Sequence, residues 1–151
     1  MQVFSPQVSH SASLMSNVLK HFALFIIWFG IILYLSFTPL NDWPKVNMLN
    51  KLYFDKIVHV CMYAMLSFLL LRGFFKQQNS QQPRYPVLIS SVVFCAVMGA
   101  SIEFLQPMLT MYRQFEWADM VANATGAVSG YFLFSWLKKK QWLGMKLQST
   151  I

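Results

Sequence analysis

Charge is what this sequence has least of. Asp, Glu, Lys and Arg make up 11% of its 151 residues, against about 25% in soluble domains. Five residues are acidic: Asp42, Asp55, Glu103, Glu116 and Asp119. So few cannot supply the polar shell of a water-soluble domain of this size. Cysteine is equally scarce. Cys61 and Cys95 each stand inside an apolar run, which excludes a disulfide scaffold and predicts two packed thiols. There is no His/Cys set at metal-ligand spacing and no P-loop, so neither zinc nor nucleotide chemistry is indicated. No cofactor and no metal is expected on these grounds.

What the sequence does have is apolar length. Hydrophobic residues are 56% of it and aromatics 17%. Four runs stand out: Phe22 to Thr38, Ile57 to Leu71, Tyr85 to Ile102 and Met120 to Leu137. The two longest have 18 residues each, and a helix of that length covers about 27 Å of a roughly 30 Å hydrocarbon core. Each run spans once its flanks add a turn. Lipid offers backbone groups no hydrogen-bond partners, so a spanning run is helical. The expected fold is therefore all-α, an integral membrane bundle of four transmembrane helices occupying residues 21–140. Residues 1–20, rich in Ser, Gln and Asn, read as a flexible tail, and residues 141–151 as a basic C-terminal tail. Phe22–Thr38 is longer than a signal-peptide core and no small-x-small site follows it, so it reads as a retained helix.

The net charge of +7 does not indicate nucleic acid. The bases flank apolar runs, as at Lys138, Lys139 and Lys140, rather than forming one face of a soluble fold. With four spans, the termini and the middle loop share a side. That side carries eight bases: Lys20, Arg72, Lys76, Arg84, Lys138, Lys139, Lys140 and Lys146. The other carries four: Lys45, Lys51, Lys56 and Arg113. The positive-inside bias makes the first side cytoplasmic. All five acids then fall on the outer side.

Polar residues inside these runs need a reason. Asp55, His59 and Tyr63 are four apart and share a helix face. Glu103 and Gln106, three apart, share the last turn before Pro107. Asp119 and Asn123 share the first turns of the fourth run. The topology brings all three faces to one depth. Asp55, Glu116 and Asp119 each have an ordinary explanation, a negative charge meeting the positive end of a helix. His59 alone can be a packed histidine, and Lys56 can snorkel. Glu103 lacks such an excuse, because it stands at the negative end of its helix and inside the apolar boundary. It should be protonated or paired with an outer cation, Lys56 or Arg113, and Arg113 is the better fit because its fork binds a carboxylate with two hydrogen bonds. Ala118, Ala122, Gly126 and Gly130 recur every four residues and make a close-packing stripe, with Ala96 and Ala100 of the third run as the expected partners.

The ordered set Asp55-Lys56 … His59 … Tyr63, Glu103 … Gln106, Arg113 … Asp119 … Asn123 … Gly126 … Gly130 resembles the VanZ-like family over roughly residues 30–137. One departure is Tyr112, where the resemblance calls for a small residue such as Gly before Arg113. The resemblance points to the cell envelope, and the family's namesake is associated with resistance to teicoplanin, a glycopeptide antibiotic. A shared fold does not transfer that activity.

These residues suggest an outer-leaflet site for an anionic envelope lipid or a lipid-linked precursor. Lys56, Gln106, Arg113, Asp119 and Asn123 are the candidate ligand-binding residues, with helix starts aimed at phosphate. If the site is catalytic, His59 is its base, Asp55 orients His59, and Glu103 is the third member. The alternatives are a polar cluster that only locks the helices together, and a small-solute transporter built from several copies. The orientation is open to direct measurement. Reporter fusions after Ile151 and within Lys76–Arg84 should be active in the cytoplasm, and a fusion near Asn47 on the opposite side. An extracytoplasmic signal at Ile151 overturns the four-span topology.

Overall fold

In a computed structural model the chain is all-helical, with residues 6–38, 48–78, 83–111 and 113–148 described. Four helices follow one another: α1 Pro6–Phe37, α2 Met48–Gln77, α3 Tyr85–Leu109 and α4 Trp117–Gln148. Their ends follow local chemistry. Pro86 stands in the first turn of α3, where a missing N–H leaves no hydrogen bond unmade. Pro107 stands in its last turn, and Thr110 closes the helix by donating its N–H and its hydroxyl to the Gln106 carbonyl at 2.9 and 2.7 Å. Asp119 lies in the first turn of α4, where the helix dipole favours its charge.

Two helices extend further than the apolar runs do. The polar leader expected as a flexible tail is helical from Pro6 onward, since neither Pro nor Gly interrupts residues 7–29. Residues 1–5 lie outside the described residues. The C-terminal segment likewise continues α4 to Gln148.

Three segments are long and apolar enough to cross a membrane: Asn17–Phe37, Tyr53–Gln77 and Tyr85–Leu109. α4 is less clearly a span. The reason lies in its composition, since Asn123, Thr125, Gly126, Ser129 and Gly130 dilute its hydropathy. Several of these are the residues it packs with. Its other face is apolar and exposed, with Val121, Val128, Phe132 and Trp136 outermost. Exposed Ile27, Val93 and Phe104 carry the same apolar surface across α1 and α3.

α2 touches all three other helices, and its closest partner is α4. Glycine sets that closeness. A Cβ on Gly126 would lie 2.5 Å from the Val60 carbonyl oxygen, and one on Gly130 would overlap the Ala64 carbonyl. The stripe expected to meet Ala96 and Ala100 of α3 therefore meets Val60 and Ala64 of α2. Ala118 is exposed and takes no part. α3 approaches through a different glycine, Gly99, where a Cβ would come within 2.8 Å of Asn123 and 2.9 Å of Tyr63. α1 is peripheral. It lays Phe22 edge-on against Phe74 of α2 at 5.0 Å, and the Trp28 indole donates to the Met62 carbonyl at 3.0 Å.

Ile32, Tyr63, Leu66, Leu70, Cys95 and Ile102 fill the centre of the bundle. Cys95 is packed as expected, whereas Cys61 is exposed, because it lies on the face of α2 turned away from the other helices. The acids among the described residues gather at one end, formed by the start of α2, the end of α3 and the start of α4. Arg72, Lys76, Arg84 and Lys138–Lys140 stand at the other ends of these helices.

Overpacking at a helix contact typically costs about 1–3 kcal/mol, and here the new side chain would meet backbone. Gly126→Leu should therefore lower the melting temperature in detergent and the folded yield. Val128→Leu, at an exposed position of the same helix, should leave both nearly unchanged. Equal tolerance of the two would remove the meaning of the glycine contact.

Candidate functional site

The start of α2 presents Asp55, Lys56 and His59, the end of α3 presents Glu103, and the start of α4 presents Asp119 and Asn123. Because α2 and α4 lie backbone to backbone, short side chains bridge them. At the rim, the Lys56 ammonium donates to Glu116 Oε2 at 2.6 Å and to Asp119 Oδ1, and reaches Asp55 Oδ2 at 3.5 Å. Its side chain keeps 20% of its surface exposed, so the ammonium sits at a boundary rather than in the interior.

One turn deeper, His59 faces two helices. Its Nδ1 is 2.9 Å from Asn123 Oδ1 and 3.6 Å from Glu103 Oε1. Its Nε2 is 4.0 Å from Asp55 Oδ1. With the amide oxygen as acceptor, Nδ1 carries the proton and Nε2 keeps its lone pair on the Asp55 side. His59, Glu103, Asp119 and Asn123 are all buried. Both Glu103 oxygens and the Asn123 Nδ2 are buried with no hydrogen-bond partner among the described residues. Such groups are rare and costly, about 1–3 kcal/mol each or more when charged.

Six of the eight residues singled out in the sequence thus come together: Asp55, Lys56, His59, Glu103, Asp119 and Asn123. Two do not. Gln106 is buried, but its amide donates to the Ser36 carbonyl of α1 at 3.0 Å. Arg113, half-buried in the α3–α4 connection, pairs within 4.0 Å with no acid among the described residues. The cation that holds the acids is Lys56. Arginine's better geometry for carboxylates did not decide the pairing; position did, since Lys56 stands on the face of α2 against which α4 is laid. Glu116 also belongs to the cluster. The sequence offered a signal for it, an acid three residues before Asp119, but its position just outside α4 read as simple dipole compensation.

One ligand atom each from Asp55, His59 and Asp119 lies within 4.8 Å of the other two. Sequence spacing hid this group, because Asp119 comes from another helix. Chemically the site offers an imidazole, two carboxylates that share a lysine, and a buried carboxyl behind the imidazole.

A family model for VanZ/LLP1 matches residues 2–138, nearly the whole chain. The chain belongs to the VanZ/LLP1 family. Together with the three apolar helices, this makes it a VanZ/LLP1 membrane protein. No curated protein and no solved structure matches it. In this VanZ/LLP1 chain the residues that carried the resemblance fall into two groups. Gly126 and Gly130 make the α2–α4 contact, and Asp55, Lys56, His59, Glu103, Asp119 and Asn123 meet at the end of it, with Gln106 and Arg113 apart.

The rim ion pairs can be weighed directly. Removing one member of a buried pair costs about 3–5 kcal/mol, and partial exposure lowers the figure here to about 1–3 kcal/mol. Lys56→Met should therefore destabilise the protein by about that much, since Asp119 and Glu116 then face each other without a cation. Adding Asp119→Asn should recover part of the loss. A double-mutant cycle on thermal stability in detergent reads the coupling. Strict additivity of the two changes would mean that the pair contributes nothing.

Proposed function

We propose that this membrane protein holds, at the outer leaflet of a bacterial plasma membrane, a polar site for the head group of an anionic envelope lipid or lipid-linked precursor. Both termini are cytoplasmic on this reading. The observation that carries it is Glu103, 1% exposed, with neither oxygen hydrogen-bonded among the described residues. A cluster that only locks helices gains stability in proportion to how well its members are satisfied. Lys56, Glu116 and the rim oxygen of Asp119 fit that description. Glu103 and the Asn123 amide do not. Groups held at a stability disadvantage are characteristic of functional sites.

The setting suits a phosphate-bearing head group in two respects. The first turn of α4 aims its free N–H groups toward this end of the bundle. Lys56 and Arg113 supply positive charge there, and Lys56 is exposed enough to exchange a carboxylate for a ligand. If the site is catalytic, the Nε2 lone pair of His59, on the side facing Asp55, is the base, with Asn123 fixing the tautomer and Glu103 behind it.

The lock remains the competing reading, favoured by the tie that Lys56 makes between α2 and α4. Stability and ligand retention separate the two. Glu103→Gln and His59→Ala are made in the full chain and purified in detergent. Thermal stability is measured beside the amount of phosphatidylglycerol retained, counted by native mass spectrometry against phosphatidylcholine of the same chain length. For a site, Glu103→Gln should hold or raise stability by about 1 kcal/mol, and both variants should retain less of the anionic lipid. Marked destabilisation by Glu103→Gln with unchanged lipid retention would favour the lock and overturn the proposal.

A further inference from the structure

The charge at this end of the bundle does not balance. Among the described residues, four carboxyl groups, Asp55, Glu103, Glu116 and Asp119, stand against three bases, Lys51, Lys56 and Arg113. When all are ionised, one negative charge is in excess. Lys56 is moreover shared by three of the acids. A further cation here would offset that excess and strengthen the hold on an anionic head group.

We propose that Asp55, His59 and Asp119 form a binding site for a first-row divalent cation, of the Zn²⁺ or Mn²⁺ kind, for which the Lys56 ammonium is the competitor. The donor set is one imidazole nitrogen and two carboxylate oxygens. Mixed nitrogen and oxygen donors suit zinc, manganese or iron better than the all-oxygen shells of calcium and magnesium. The three ligand atoms lie within 4.8 Å of one another. Tetrahedral bonds of about 2.0–2.2 Å set ligand atoms about 3.4 Å apart, a closure that side-chain rotation supplies. Asp55 is half-exposed and free to make it.

A second observation points the same way, and it does not depend on the acids at the rim. A metal-bound histidine almost always donates its other ring N–H to a carboxylate or a carbonyl, which fixes the tautomer. His59 is arranged in that manner. Its Nε2 faces Asp55, and its Nδ1 faces Asn123 Oδ1 at 2.9 Å and Glu103 Oε1 at 3.6 Å. Glu103 is 1% exposed, has no hydrogen bond among the described residues and faces the imidazole from behind at 3.6 Å. Its burial, unexplained by packing, is what an orienting carboxylate for a metal-bound imidazole requires. Three protein ligands leave a coordination position open. This inference rests on the head-group reading only for what fills that position, a phosphate oxygen of the lipid bridged to the carboxylates by the metal.

The test uses tag-free, chelator-treated full-length protein in detergent without added lipid. Zn²⁺ binding is followed by calorimetry, and Mn²⁺ by electron paramagnetic resonance. One saturable site is expected, with nitrogen coupling in the Mn²⁺ spectrum that disappears in His59→Ala. Asp119→Asn and Asp55→Asn should each weaken binding tenfold or more. Glu103→Gln should weaken it by about 10–100-fold, the range typical of groups that orient a metal-bound histidine. Lys56→Gln should bind more tightly, since it removes the competitor. Should Asp119→Asn fail to fold, half-exposed Asp55→Asn carries the same test. No saturable uptake at millimolar Zn²⁺ or Mn²⁺, or uptake unchanged in both His59→Ala and Asp55→Asn, overturns the site. Retention of phosphatidylglycerol is then measured with and without chelator. Lipid retained equally in both, with no metal site, sinks this inference and leaves the head-group reading standing.

Discussion

Everything at the polar end of this protein depends on how closely α4 lies on α2. In lipid there is no hydrophobic force pressing helices together, because the tails are as apolar as the side chains. Contact comes from packing, and packing is tightest where side chains are absent. Gly126 and Gly130 place the α4 backbone against the carbonyls of Val60 and Ala64. Ordinary helix pairs stand 8–10 Å apart at their axes, a gap that Asn and His side chains bridge only at its narrow end. Here His59 and Asn123 meet at 2.9 Å, directly above the glycine contact. Polar chemistry at this depth is a consequence of small residues one and two turns further along.

The cluster is graded. At its rim, Lys56 satisfies Glu116 and Asp119 in a partly solvated setting, where desolvation is modest and ion pairs are worth little more than they cost. Beneath it His59 and Asn123 share one hydrogen bond, and the Asn123 Nδ2 is left without one. Deepest among the acids is Glu103, and neither of its oxygens is hydrogen-bonded among the described residues. An acid in that position is disfavoured by burial, by the absent donors and by the negative end of its own helix. Stability alone would replace it with an apolar residue or an amide. Its presence behind His59 is best understood through what it does to the imidazole.

Much of this was legible in the sequence, and the failures share one cause. Apolar run length and the positions of prolines fix where helices form, since these are local. The four-residue spacing of Asp55, His59 and Tyr63, and of Asp119 and Asn123, fixes which side chains share a face. What periodicity cannot give is which helix a face meets. The glycine stripe was matched to α3 because Ala96 and Ala100 have the same spacing, whereas α2 offered bare carbonyls at Val60 and Ala64. Arg113 was matched to Glu103 on the chemistry of guanidinium, whereas Glu103 faces His59 and Lys56 had the position to hold Asp119 and Glu116. α4 reads as weakly apolar because the residues that embed it in the bundle are small and polar. A hydropathy count registers that packing as a deficit. The Asp55, His59 and Asp119 grouping was invisible for the same reason, being a property of two helices rather than of one.

Gln106 shows where the boundary between scaffold and site runs. It shares a helix face with Glu103, and by spacing alone the two are equivalent. Yet its amide donates to the Ser36 carbonyl in the last turn of α1, one of the carbonyls that a helix end leaves without an intrahelical partner. Trp28 does the same kind of work further along, donating to the Met62 carbonyl. Both bonds run from a side chain to backbone, and both tie peripheral α1 to its neighbours. α1 contributes no described side chain to the polar cluster, so these bonds hold it in place without drawing on the cluster's donors. The bonds within the cluster join side chain to side chain across α2 and α4, with Glu103 of α3 facing the imidazole at 3.6 Å, and all but Asn123 among these residues titrate or carry charge. A bond to backbone can be altered only by moving a helix, whereas a bond between two ionisable side chains can be exchanged for one to a cation or a phosphate. That difference, more than burial or spacing, separates Gln106 from Glu103.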